Sequence, residues 1–203
     1  MLKSENYFTP THEVPTDWDE PEVVLSGATV YHGSATGDIT ELNVAENATV
    51  GQGVYFTDNP VRAVEYAHRR VRGSGNEIPS PHLYTAETAQ DLRIANLDNP
   101  EKLAEVMNGF RDVLLERMKT AEDWYENMAC GKALEQIDVG IRVGGVQLAT
   151  YNHPELFTKY MQGLGYKGLA AAEGGEGGDQ VGPHRTILIF DPKDATVKEV
   201  SPL

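Results

Sequence analysis

Three short segments carry side chains whose types and spacing suit one chemistry: Tyr31-His32-Gly33-Ser34, then Gly51-Gln52-Gly53-Val54-Tyr55-Phe56, then Tyr66, eleven positions after Tyr55. A His-Gly step sets an imidazole beside backbone that a ligand can approach closely, because glycine has no Cβ. Backbone groups there can then read a carboxamide. Two tyrosines can take opposite faces of a flat aromatic cation, gaining stacking and cation–π attraction. Together these groups can hold a flat, cationic aromatic amide, which describes the nicotinamide end of NAD+. Each segment alone is ordinary: a Gly-x-Gly on a strand most often marks a bulge or tight packing, and a tyrosine most often belongs to the core. The weight rests on their order, with Asp58-Asn59-Pro60 as a helix start between the tyrosines.

Positioning these groups requires elements around them. Val23-Val24-Leu25 and Ala28-Thr29-Val30-Tyr31 have strand character, with Ser26-Gly27 as the turn between. His32 is therefore expected at the end of a strand. Gly51 to Phe56 is expected as a further strand. The helix after Asn59 carries Ala63, Tyr66 and Ala67 on one face and ends in His68, Arg69, Arg70 and Arg72, with Gly73-Ser74-Gly75-Asn76 closing it. That basic cluster complements the negative end of the helix dipole, or else contacts the NAD+ pyrophosphate or a phosphate-bearing target. Leu83 to Glu87 and Leu92 to Leu97 are expected strands.

Asn99-Pro100-Glu101 opens an amphipathic helix, with Leu103, Val106, Met107, Phe110, Leu114 and Met118 at three- and four-residue spacing. Thr120 with Asp123 resembles a capping box before a second helix bearing Trp124 and Met128. A third helix runs from about Pro154 to Leu164, capped by Gly165. A strand from Gly168 to Ala171, a glycine-rich acidic loop from Gly174 to Gln180 and a last buried strand from Arg185 to Phe190 complete the order. This order predicts an α+β fold with mainly antiparallel pairing. It is one domain over residues 23–203, after an extended arm over 1–22, with a helical insert over about 98–140. The insert either docks a partner or target, or completes the core.

Composition bounds the class. The chain has 203 residues, 40% hydrophobic and 24% charged, with a formal net charge of −14, which disfavours general affinity for nucleic acid or anionic membranes. Its one cysteine, Cys130, rules out an internal disulfide and reads as a buried structural thiol. Residues 1–20 lack the apolar core of a signal peptide, and no run approaches the roughly 18 apolar residues of a membrane span. A cytoplasmic residence is expected, without a membrane partner. His12, His82, His153 and His184 show no metal-ligand spacing with acids or the cysteine, so no metal is expected. The glycine-rich loop lacks the Lys-Ser/Thr ending of a phosphate-binding loop.

The three segments resemble the ADP-ribosyltransferases of the His-Tyr-Glu type, the group containing the poly(ADP-ribose) polymerases and their bacterial and phage relatives. Gly165-Tyr166-Lys167-Gly168-Leu169 and Ile187-Leu188-Ile189-Phe190-Asp191-Pro192 look like the closing strands of that family. The resemblance covers about residues 30–70 and 160–195. It implies split antiparallel β-sheets around an NAD cleft, NAD+ as substrate, and transfer of ADP-ribose to a protein or nucleic-acid acceptor. It also implies residue roles. His32 holds a ribose hydroxyl, Gly33 reads the carboxamide, Ser34 reaches the adenosine side, Tyr55 and Tyr66 sandwich the nicotinamide, and Gly53 lets the ligand approach. The catalytic positions are His32, Tyr55 and residue 186. Small bacterial or phage proteins of this kind are often toxins or host-modifying factors, which would imply an inhibitory or antitoxin partner.

Two positions depart from the pattern. Thr186 stands where the family's glutamate is expected, and Ala63 where a serine would touch the carboxamide. Threonine can position a group but cannot take a proton at neutral pH. A charged hydrogen bond exceeds a neutral one by about 1–2 kcal/mol, so its loss slows the chemistry by roughly tenfold or more. The expectation is therefore single-unit transfer without chain growth, onto an acceptor that brings its own charge as a carboxylate or phosphate. Alternatively Glu173, Glu176, Asp179 or Gln180 supplies the missing group. An NAD+ glycohydrolase, or an inactive module that binds NAD+ or ADP-ribose, would keep the same pocket.

Overall fold

The computed structural model describes residues 18–37, 39, 42–45, 49–73, 80–173 and 184–203. Its strands are β1 (Glu22–Leu25), β2 (Thr29–Ser34), β3 (Val54–Thr57), β4 (His82–Thr88), β5 (Leu92–Asn96), β6 (Gly168–Glu173), β7 (His184–Ile189) and β8 (Ala195–Pro202). The helices are α1 (Pro60–Gly73), α2 (Pro100–Thr120), α3 (Trp124–Val143), α4 (Gln147–Thr150) and α5 (Pro154–Gly163). The eight strands form one mixed sheet in the order β1-β5-β6-β7-β3-β2-β4-β8. Every neighbouring pair is antiparallel except β5 with β6. The α+β class and the mainly antiparallel pairing stand.

Four boundaries differ from expectation. β2 continues through Ser34, so His32 lies inside a strand. β4 accounts for this, since its ladder pairs residues 29–34 throughout and holds Gly33-Ser34 extended despite their turn chemistry. β3 begins only at Val54, leaving Gly51 and Gly53 in the loop before it. β8 was not foreseen, and β7 is therefore not the last strand. As an edge strand paired with β4 alone, β8 is mostly exposed and shows little apolar signal. Finally, Asp123 caps α3 by accepting from the Tyr125 N–H at 3.0 Å, while the Thr120 hydroxyl turns back to carbonyls of its own helix.

Strand alternation gives the sheet two faces. On one, Leu103, Met107, Phe110 and Leu114 of α2, Cys130 and Ile137 of α3, and Phe157 and Met161 of α5 pack over Ala95, Leu169, Ala171 and Leu188. The helical insert thus completes the core. Burying each such side chain stabilises by about 1.5–3 kcal/mol. On the other face lie Val23, Leu25, Val30, Val54, Phe56, Ile94, Ile187 and Ile189.

The helix ends follow local chemistry. Asn99 Oδ1 accepts from the N–H groups of Glu101 and Lys102 at 3.1 and 3.0 Å, capping α2. Gly165, at φ +84°, ends α5: its N–H reaches the Gln162 carbonyl at 2.9 Å, and the Tyr166 N–H reaches that of Met161 at 3.2 Å. Among the described residues no helix is long and apolar enough to cross a membrane.

Candidate functional site

The sheet is thinnest where the sequence motifs meet. β2 and β3 share one residue pair, Tyr31 with Thr57. Beyond it β2 follows β4 and β3 follows β7, so the two strands part from His32 and Phe56 onward. The His32 side chain bridges this seam. Its Nδ1 lies 2.8 Å from the Tyr55 carbonyl. A carbonyl only accepts, so Nδ1 donates. The imidazole packs edge-on against Phe56 and Tyr84, with centroids at 6.2 and 6.1 Å. His32 thus leaves the sheet on the Phe56 side.

The other motif residues gather on the helix-bearing side. Cross-strand neighbours share a face, so the row Tyr31, Thr57, Thr186, Ala171 runs across β2, β3, β7 and β6 toward the helices. Thr186 is buried, 3% exposed, and its hydroxyl donates to Glu173 Oε2 at 2.7 Å. Glu173 is directly opposite His184 in the β6–β7 ladder. His184 Nε2 stands 3.4 Å from the same Thr186 oxygen, and its ring meets the Tyr66 ring edge-on at 5.2 Å. Tyr66, His184, Thr186 and Glu173 therefore form a continuous string of contacts from α1 to β6.

Tyr55 shares the face of Leu188, its partner in β7, and packs against the helical core. Its hydroxyl donates to the Gly51 carbonyl at 2.8 Å and accepts from the Val50 N–H at 3.2 Å. Burial above all pushes this phenol's pKa up, and the Glu173 carboxylate adds to the rise, which puts Glu173 within electrostatic reach of Tyr55. The loop before β3 is pinned further. Thr158 of α5 accepts from the Gln52 N–H at 2.7 Å and donates to its carbonyl at 3.2 Å, and the Thr150 hydroxyl donates to the Thr49 carbonyl at 2.8 Å.

The glycines have structural reasons of their own. A Cβ on Gly33 would lie 1.7 Å from the Ala63 carbonyl oxygen, so its absence lets α1 lie directly on β2. A Cβ on Gly53 would come within 2.4 Å of the Ile189 carbonyl oxygen. Ala63, where the resemblance expects serine, is buried in this helix–strand seam with Tyr31 and Leu83. Ser34 Oγ accepts from the Thr36 N–H at 3.2 Å, a local turn at the end of β2.

Sequence reasoning grouped Glu173 with a flexible acidic loop, whereas it ends β6 and is fixed by register; Glu176, Asp179 and Gln180 lie outside the described residues. The part played by His184 was missed altogether. Its only sequence signal is position, two residues before Thr186 on the same side of a strand. Of the basic cluster, His68 and Arg69 are exposed near the end of α1, and the side chains of Arg70 and Arg72 lie outside the described set, as does His12. Among the described residues no three His, Cys, Asp or Glu side chains gather as metal ligands. Comparison of the chain with family models, with curated proteins and with solved structures returned no match.

Proposed function

We propose that this protein is a mono-ADP-ribosyltransferase that consumes NAD+, built on an ADP-ribosyltransferase-like arrangement of strands. One observation carries the reading. The imidazole of His32 crosses the parted β2–β3 seam to the Tyr55 carbonyl, beside a helix whose Tyr66 leads through His184 to residue 186. Motifs separated by more than a hundred residues thus converge on one joint in the sheet. The eight-stranded sheet narrows there to a single pair, which is the nearest counterpart in this chain to the split expected of the family.

On this reading the nicotinamide lies on the half-exposed ring of Tyr66, gaining stacking and cation–π attraction. Tyr55, anchored through its hydroxyl, is the fixed second wall. Gly33 pairs with the carboxamide through its backbone, and His32, bonded to the Tyr55 carbonyl from the opposite face, fixes the seam that the ligand lies over. The bond to nicotinamide already has a good leaving group. What the protein supplies is therefore orientation and stabilisation of positive charge on the sugar. A toxin or host-modifying role, with an inhibitory partner, fits a small chain of this kind.

The test is incubation of the purified chain with adenylate-labelled NAD+ and cell lysate, before and after nuclease or protease treatment. Transfer predicts macromolecular label whose sensitivity tells protein from nucleic acid. Nicotinamide release without label would indicate a glycohydrolase. Binding without release would indicate a non-catalytic module.

A further inference from the structure

We propose that Glu173 of β6 supplies the carboxylate that the resemblance assigns to position 186, and that the acceptor is accordingly a neutral hydroxyl with a proton to give up. This rests on the transferase reading of the site and goes beyond it in naming the catalytic carboxylate and the acceptor class. Glu173 is one strand away from Thr186, on the same face of an antiparallel pair in which residues 171 and 173 oppose 186 and 184. The Thr186 hydroxyl donates to Glu173 Oε2 at 2.7 Å, and His184 Nε2 approaches the Thr186 oxygen at 3.4 Å. Threonine at 186 is thus the group that aims a neighbouring carboxylate. A glutamate at 186 would set a second negative charge against Glu173, which explains why the two positions do not both carry acids.

The carboxylate is joined to the Tyr66 ring through Thr186 and His184, whose imidazole meets that ring edge-on at 5.2 Å. A negative charge held beside Thr186 stabilises positive charge on the ribose once nicotinamide departs. In the step, the bond from ribose C1′ to the pyridinium nitrogen breaks and its electron pair leaves with neutral nicotinamide. A bond forms from C1′ to the acceptor oxygen, whose proton passes to Glu173 and then to water. A carboxylate or phosphate acceptor would be repelled by Glu173 and has no need of it. The acceptor expected from the sequence alone is therefore replaced by a neutral one.

The full chain is assayed for nicotinamide release from NAD+ and, by calorimetry, for binding of NAD+ and of benzamide, a nicotinamide mimic without ribose. Glu173→Gln is expected to lower kcat by about 100-fold or more, with KM for NAD+ shifted less than about threefold and benzamide affinity unchanged. Glu173→Asp should retain part of the rate. The double variant Glu173→Gln/Thr186→Glu, which moves the carboxylate one strand over, should recover activity relative to Glu173→Gln. Label on the acceptor should survive neutral hydroxylamine, which releases carboxylate esters. Glu173→Gln turning over within about twofold of the parent, or hydroxylamine stripping the label, would overturn the inference while leaving the transferase reading intact. A parent chain that binds neither NAD+ nor benzamide and releases no nicotinamide would instead overturn that reading, and this inference with it.

Discussion

At the scale of single residues, the seam's glycine and its tyrosine make opposite predictions. Gly33 permits contact between α1 and β2, because any Cβ there would lie 1.7 Å from the Ala63 carbonyl oxygen, a backbone atom that cannot rotate away. Gly33→Ala should cost about 3 kcal/mol or more by forcing helix and strand apart, measured as a lower urea midpoint with little change in slope. Tyr66, half-exposed, should matter for the ligand and little for stability. Tyr66→Ala should weaken NAD+ and benzamide binding by roughly 2- to 30-fold, since stacking of this kind contributes about 0.5–2 kcal/mol. Tyr66→Phe should keep most of it, and equal loss in both variants would argue that the hydroxyl acts, not the ring. His32, Tyr55 and Tyr66 were legible because each belongs to a local motif of a few residues. Glu173 was visible only as one acid in a glycine-rich stretch. Its meaning depends on a β6–β7 register that puts it opposite His184 and next to Thr186, and no local pattern encodes that register.

Elements with a strong period and explicit end signals were the readable ones. α2 begins at an asparagine cap followed by proline and carries Leu103, Val106, Met107, Phe110 and Leu114 on the buried side. Phe110 is fully buried and meets Phe157 of α5 edge-on, with centroids 5.0 Å apart. Phe110→Ala should cost about 3–5 kcal/mol, whereas the exposed Leu115→Ala on the same helix should stay within about 0.5 kcal/mol. Comparable losses in the two variants would mean that α2 does not face the sheet as described. β8 shows the opposite case. Its residues Thr196, Lys198, Glu199 and Val200 are exposed, so tertiary pairing with β4 decides its state and no alternation announces it. The four-residue α4 is too short for any period to appear. The extension of β2 through Gly33-Ser34 was hidden because both residues favour turns, and the β4 ladder overrides that preference.

Across the whole molecule, charge ties distant elements together on an otherwise strongly acidic chain. Glu22 of β1 receives Arg93 of β5 at 2.8 Å, Lys102 of α2 at 3.2 Å, and the hydroxyl of Tyr166 from the segment before β6. The Tyr166 hydrogen bond most of all, then that from Arg93, holds the Glu22 carboxyl down at about 2 instead of 4.5, with Lys102 contributing and partial burial opposing. A carboxyl depressed by folding stabilises the fold fully above its unfolded value. That stability is lost as pH falls from about 4.5 through about 2. The side chain is about a third exposed, so solvent screens part of the effect. Acidification also relieves the self-repulsion of a chain carrying a net charge of −14, and the two effects oppose one another in any single melting curve. Comparing the parent with Glu22→Gln separates them, since the repulsion is nearly common to both. The parent should be the more stable at pH 7, and the difference in Tm should shrink steadily between pH 5 and pH 2.5. A difference that stays constant over that interval would mean that the Glu22 cluster is held by packing of Tyr166 and Arg93, whose guanidinium lies 4.4 Å over the Tyr166 ring, and that its charge contributes nothing to the fold.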